Sequence, residues 1–350
     1  MLFRDNAFYI LDADAGMNRS ELIRRGDKLV LLSHNPTQVQ NAVSQLSVPR
    51  KRIIHEMSWL LDCAPDVARS LVDGIHQIKD NHYFPILENA GHLSSLSQFN
   101  YLLNIIESVQ FKYSSEFANI VFHLIEIGDT IDIEQILKDL NTVRSSSGFP
   151  QVTDRGQISD FTAVLFEQSF QIILNKMTSF GKTDYDHIIN FLSDKLSSSK
   201  SLYSVLAEFI FNDYEVRIKN DEHVYESRIL EIADLRNHSV NVSTLESDIQ
   251  RLVVLLEKWH DQAKPLIIIA KAKGLKYDSA KLLFPELKAL LLFLGDVFRA
   301  EYKIIYTLLV AINKYFRLYM TEEVREAYSK SSSAYFQIFQ DEAIKNELGG

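Results

Sequence analysis

The sequence predicts an all-α protein, and three observations carry that expectation. Glycine and proline number only 12 and 7 in 350 residues, so tight turns are few and long helices are favoured. Apolar residues recur at three- and four-residue steps along most of the chain. Strand-like alternation is confined to "TIDIE" (130–134), which runs straight into the helical pattern "EQILKDL".

Composition bounds the function classes. With 46% hydrophobic and 24% charged residues the chain belongs among globular proteins rather than disordered ones. A formal charge of −9 disfavours duplex DNA as a partner, because phosphate binding needs a concentrated basic face. The single cysteine, Cys63, cannot form an internal disulfide. With charges where a secretory core would need apolar residues in "MLFRDNAFYILDADAG", it points to a reducing, cytoplasmic setting. The most apolar run, "LLFPELKALLLFLGDVF", is interrupted by Glu286, Lys288 and Asp296, short of the ~20 apolar residues that span a bilayer.

Element by element, Asn18 and Glu21 form an N-terminal cap signal for a helix through "SELIRRGDKLVLLS", amphipathic on Leu22, Leu29 and Leu32 with Arg24, Arg25 and Lys28 outside. Pro36 cannot continue that helix, and "TQVQNAVSQLS" begins a second one almost at once. Pro49 opens "PRKRIIHEMSWLLD", whose basic start reads as a solvated helix end. Two antiparallel helices result, enclosing Leu11, Leu22, Leu29, Val39, Ala42, Val43 and Leu46. Pro65 starts a further helix, and others are expected at about 94–108, 115–127 and on through Leu140. "RSSSGFPQ" (144–151) is the clearest break. Beyond it Ile158, Phe161 and Leu165 make one stripe and Phe166, Phe170, Ile173 and Met177 a second, the mark of a helix between neighbours. "SDKLSSSKS" (193–201) is a polar connection. Ser243 and Glu246 suggest a capping box ahead of Leu245, Ile249, Leu252, Leu256, Trp259 and Ala263, the seam of a helix packed lengthwise on another. Ile304, Leu308, Ile312, Tyr315 and Tyr319 offer the partner. The expected divisions are 1–62, a helical subdomain at 63–148, another at 149–240, and a long-helix bundle or hairpin at 241–350. No fixed repeat period marks a solenoid.

The first 62 residues resemble the J-domain family of chaperone partners. Tyr9-Ile10-Leu11 is similar to the family's opening, Glu21-Leu22 to the start of its second helix, and Leu29 to that helix's leucine. Ala42, Leu46, Ser47, Val48, Pro49, Lys51, Arg52, His55 and Glu56 follow the later Ala-x-x-x-Leu-Ser-Asp-Pro-x-Lys-Arg-x-x-Tyr-Asp pattern, and the signature histidine falls on His34. The resemblance implies a helical hairpin and a basic partner-facing surface, here Arg24, Arg25 and Lys28, next to a tip of His34, Asn35 and Pro36. It also implies an ATPase chaperone as the partner class. The departures matter: Asn35-Pro36 stands where the family has Pro-Asp, removing a carboxylate able to make charge-assisted contacts. Gly26 stands where a tyrosine is expected, at about 1 kcal/mol of helix stability relative to alanine. The reading is a J-like scaffold without its coupling tip, with an active co-chaperone as the alternative. The "WHDQAKPLIIIAKAKGLKY" segment resembles helical segments of bacterial proteins that begin with degenerate J-like domains.

Catalytic motifs do not assemble. "HEMSW" lacks the second histidine of a zinc-protease helix, and "GKT" (181–183) has Lys176 where a phosphate loop needs glycine. Glu257-x-x-His260 lacks the second copy and further glutamates of a di-iron bundle. Cys63 reads as a packing residue without an activating histidine. Arg217 and His223 have an Arg-x5-His spacing that resembles the helical ribonucleases called HEPN, a second alternative. Lys264, Lys271, Lys273, Lys276 and Lys281 form a candidate patch for an anionic partner, a solvated lysine face being the plainer account. No cofactor or metal is expected, and the chain reads as a non-catalytic interaction or scaffold protein with a protein partner.

Overall fold

A computed structural model describes residues 2–77, 91–196, 204–234, 242–297 and 302–348. Among them every regular element is a helix, as the residue pattern predicts. The chain divides into two compact units, Met1–Ile210 and Phe211–Gly350. The break expected at 144–151 ends a helix inside the first unit.

In the first unit a 3-10 turn (Phe3–Asp5) and a short α1 (Ala7–Ile10) precede α2 (Arg19–Val30), α3 (Pro36–Ser47), α4 (Pro49–Met57) and α5 (Pro65–Gln77). Each of α3, α4 and α5 begins at a proline, which lacks only a donor that the first turn would leave unpaired. The capping box of α2 is formed in both directions: Asn18 N donates to Glu21 Oε2 at 2.9 Å and Glu21 N to Asn18 Oδ1 at 3.0 Å. The α2–α3 hairpin closes over Leu11, Leu22, Val39, Ala42 and Leu46, all buried.

Four longer helices follow: α6 (Ser95–Ser108), α7 (Ser114–Asp129), α8 (Ile133–Ser147) and α9 (Arg155–Thr178), then α10 (Lys182–Leu196). The strand-like "TIDIE" is where α8 starts, because Asp132 accepts from Glu134 N at 3.1 Å and so caps a helix. Gly148, at φ 71°, takes the left-handed turn that stops α8. On α9 Ile158 and Leu165 of the first stripe are buried and Phe161 is half-buried, and on the second stripe Ile173 and Met177 are buried. Phe166 and Phe170 are half-buried beside Phe99 and Phe209, with ring centroids 5.3 and 4.7 Å apart. The helix thus has neighbours on two sides, as its two stripes imply. The polar connection expected at 193–201 is helical as far as Leu196, and its remainder lies outside the described residues.

The unit boundary falls within α11 (Val205–Ala233). The second unit continues with α12 (Val242–Ala272), α13 (Asp278–Val297), α14 (Tyr302–Tyr315) and α15 (Glu322–Leu348). Helix α12 begins at Val242, which puts Ser243 inside its first turn rather than at a cap. The seam of α12 is buried at every expected position, Leu245, Ile249, Leu252, Leu256, Trp259 and Ala263, in one core with Ile304, Leu308, Ile312 and Tyr315 of α14. Trp259 stacks on Phe316, centroids 4.9 Å apart, and donates from Nε1 to Ser279 Oγ at 2.8 Å. No helix among the described residues is long and apolar enough to cross a membrane.

Candidate functional site

The residues singled out in the sequence concentrate on the α2–α3 hairpin. Helix α2 stops at Val30, one residue before the "LLSHN" turn. Within that turn Asn35 N donates to Ser33 Oγ at 2.9 Å, and Asn35 Oδ1 accepts from Gln38 N at 3.2 Å. Asn35 is therefore the N-cap of α3 and Pro36 its first residue. The pair that departs from the His-Pro-Asp order is itself a helix-starting device. His34 is exposed beside it.

Leu32 corrects the expected apolar face. It lies two residues beyond the end of α2, so the helical spacing that would have turned it inward no longer applies. Leu31 and Leu32 are 85% and 72% exposed, and Ile23 is also exposed. The hairpin tip therefore carries two exposed leucines that helical periodicity hid.

Arg24 and Lys28 stand exposed on α2. Arg25 does not, which corrects the expected three-residue basic surface. Its Nε donates to Leu11 O at 2.7 Å and its guanidinium pairs with Asp12, which also pairs with Arg69. This clamp closes the α1–α2 connection, where Asp12 has a positive φ of 50°. Gly26 packs directly against α3: a Cβ there would lie 2.1 Å from Val43 Cγ2. Glycine at this position serves packing, not only a local helix preference.

The "PRKR" start of α4 also divides. Arg50 and Lys51 are exposed, whereas Arg52 is completely buried. Its Nε donates to Glu56 Oε1 at 2.7 Å. Arg144 of α8 donates to Glu56 Oε2 from Nε at 2.8 Å and from Nη2 at 2.7 Å. Phe149 stacks under the Arg52 guanidinium, 4.1 Å from the ring centroid. The i, i+4 spacing of Arg52 and Glu56 hints at the first pair; nothing local identifies Arg144, 88 residues away.

The remaining candidates stay apart. Lys271, Lys276 and Lys281 are exposed around the α12–α13 turn, while Lys264 and Lys273 are half-buried. Gly274, at φ 69°, closes α12 with Leu275 N donating to Ala270 O at 2.8 Å. Lys271 and Lys273 thus lie at the negative end of α12, which they stabilise, while Lys264 is two turns inside α12 and Lys281 is in the first turn of α13. Arg217 pairs with Asp213 at 2.5 Å and His223 lies 3.6 Å from Glu226. Six residues apart on one helix, the two point about 120° away from each other. Glu257 approaches Lys314 at 3.6 Å. His260 is half-buried, and burial depresses its pKa. Among the described residues no group of three His, Cys, Asp or Glu side chains is placed to hold a metal. Burial pushes the Cys63 thiol up to about 12, with Asp62 and Asp66 adding to the shift, the opposite of an activated nucleophile.

Compared with family models, curated proteins and solved structures, the chain matches none.

Proposed function

We propose that this chain is a non-catalytic interaction protein that docks a protein partner on the tip of its α2–α3 hairpin. The observation that carries the reading is the pair Leu31 and Leu32, held outside the core by a capped turn and flanked on α2 by the exposed Arg24 and Lys28. An apolar centre with a polar, charged rim is the composition of a protein interface. The matching surface is an apolar groove bordered by carboxylates.

The test uses the whole chain as bait in its native host. Wild type is compared with Leu31→Ser/Leu32→Ser and with Arg24→Glu/Lys28→Glu, each checked for unchanged helix content. A specific partner should fall at least tenfold in both variants. Equal capture by all three proteins overturns the tip assignment.

A second reading, an ATPase chaperone as that partner, rests on the resemblance to J-domains and on the exposure of His34 at the tip. It predicts stimulation of a cognate chaperone ATPase that His34→Gln removes. With Asn35 occupied as a helix cap and no carboxylate in the tip, the scaffold reading predicts no stimulation by either protein.

A further inference from the structure

Helix α13 is apolar on two sides, and only one of them is covered. Leu283, Leu287, Leu290 and Leu294 are buried in the core of the second unit. With about 100° of turn per residue, Lys281, Leu282, Pro285, Lys288, Ala289 and Leu292 share an arc of about 120° on the opposite side. Leu282 and Leu292 are 49% and 61% exposed, and Lys281, Pro285 and Lys288 are exposed as well. The turn that leads into the helix adds Leu275, 63% exposed, and Lys276, and Lys271 stands exposed at the end of α12. Exposed apolar side chains gathered on one face and rimmed by charge mark a surface that meets something other than water.

Charge limits what covers this face. Between residues 271 and 297 the exposed charges are Lys271, Lys276, Lys281 and Lys288 against Asp278 and Asp296, a local excess of cations on a chain whose formal charge is −9. The partner is therefore anionic, and it must also accommodate leucine. The kind of cation narrows the choice. No arginine stands between Arg251 and Arg299, whereas protein interfaces are enriched in arginine and aromatic residues and poor in lysine. Single-stranded nucleic acid needs aromatic platforms for its bases, and the aromatic side chains of α13, Phe284 and Phe293, are half-buried. Lysines around exposed leucines suit a bilayer surface, where cations sit among anionic headgroups and leucines reach the acyl boundary.

A cavity of about 350 Å³ opens along the same helix, lined by Leu291, Leu292, Ile305 and Leu309 together with Lys288 and Asp296. Lys288 and Leu292 belong both to this cavity and to the exposed face, so hydrocarbon entering the cavity stays beside a cation. Asp296 lies eight residues from Lys288, about 12 Å along the helix. With Asp278 it closes the face at both ends, which makes the contact shallow.

We infer that the outer face of α13 docks on an anionic phospholipid surface. Lys271, Lys276, Lys281 and Lys288 pair with headgroup anions, Leu275, Leu282 and Leu292 enter the boundary between headgroups and acyl chains, and the cavity beside Lys288 takes hydrocarbon. This surface is independent of the leucine tip, which belongs to the first unit.

The test is sedimentation of the full chain with vesicles of phosphatidylcholine alone or with about 30% phosphatidylserine. The expected result is binding to the anionic vesicles only, weakening as salt rises. Lys281→Glu/Lys288→Glu should bind at least tenfold more weakly, since each lysine near such a surface is worth about fivefold. Leu282→Ser/Leu292→Ser should lose a similar factor. All four positions are exposed, so both variants keep their fold, checked by helix content. Absence of binding to the anionic vesicles overturns the proposal, as does equal binding to the neutral ones or undiminished binding by the leucine variant. Capture of single-stranded RNA or polyglutamate without capture of vesicles would assign the lysines to a nucleic acid or an acidic protein and sink the lipid reading. Vesicle binding lost on Leu31→Ser/Leu32→Ser but kept on Leu282→Ser/Leu292→Ser would place the lipid contact at the tip and overturn the assignment to α13.

Discussion

Replacing Gly26 with alanine reverses the usual outcome of that substitution. In an exposed helix the exchange stabilises by about 1 kcal/mol. Here the added Cβ would lie 2.1 Å from Val43 Cγ2, against an ordinary carbon contact of about 3.5–4.0 Å. Val43 is β-branched and on a helix, so one side-chain rotamer is strongly preferred and the methyl cannot swing away freely. Overpacking of this kind costs about 1–3 kcal/mol. An overlap of some 1.5 Å belongs near the upper end, leaving a net loss of about 2 kcal/mol. For a unit of this size that is a fall in Tm of roughly 4–8 °C. The thermodynamic cycle with Val43→Ala isolates the cause, because Val43 Cβ would sit 3.5 Å from the new Cβ, an ordinary contact. In the Val43→Ala background Gly26→Ala should therefore stabilise. Thermal unfolding followed by circular dichroism reads all four proteins. If Gly26→Ala raises Tm in the otherwise wild-type chain, the close approach of α2 and α3 is wrong.

Four further outcomes follow from the buried charges. Glu56→Ala leaves Arg52 and Arg144 without their shared carboxylate and should cost about 3–5 kcal/mol, read from the denaturant midpoint at constant slope. His55, depressed to about 4 by burial, binds protons more readily unfolded than folded. Stability of the first unit should fall as pH drops from about 6.5 to about 4, by roughly 3 kcal/mol in all; a flat profile over that window contradicts the buried neutral ring. Glu222 behaves in the opposite sense. Its pKa is raised by burial even though Tyr277 donates to it at 2.7 Å, so the folded second unit holds the proton more tightly. Stability there should decline as pH rises above the ordinary carboxylate range, and Glu222→Gln should raise Tm at pH 7 and remove that slope. Cys63, with its thiol pushed up to about 12, should react with a thiol reagent at pH 8 far more slowly in the native chain than in denaturant.

The helices were legible because their ends carry chemistry readable in one dimension. Asn18 with Glu21, the prolines at 36, 49 and 65, and Gly148 each fix a terminus through backbone geometry that neighbours along the chain decide. The α12 seam was legible for a related reason: four- and three-residue spacing states which face is buried, and every position in it is. What periodicity could not show was where it ceases to apply. Leu32 has helical spacing but no helix beneath it. Nor does a charged residue announce its partner when that partner is far along the chain. Arg25 and Arg52 look like surface residues beside Arg24 and Lys51, and although the i, i+4 spacing hints at Glu56, only tertiary structure supplies Asp12 and Arg144.

These long-range bonds bear on how the hairpin can act. Several polar groups of the first 62 residues are satisfied by residues beyond 90. Phe3 N donates to Asn104 Oδ1 at 2.7 Å, and Asn100 Nδ2 donates to Met57 O at 2.8 Å and to Trp59 O at 3.3 Å. Arg144 Nη2 reaches Pro49 O at 3.0 Å as well as Glu56. The 3-10 turn and α4, which flank the hairpin in the chain, are thus tied to the rest of the unit, while the hairpin exposes its tip and one side of α2 and of α3. A surface held this way loses little conformational entropy on binding, and that loss is a large part of what association must overcome. The same bonds that remove the hairpin's independence as a domain make it a rigid platform for a partner.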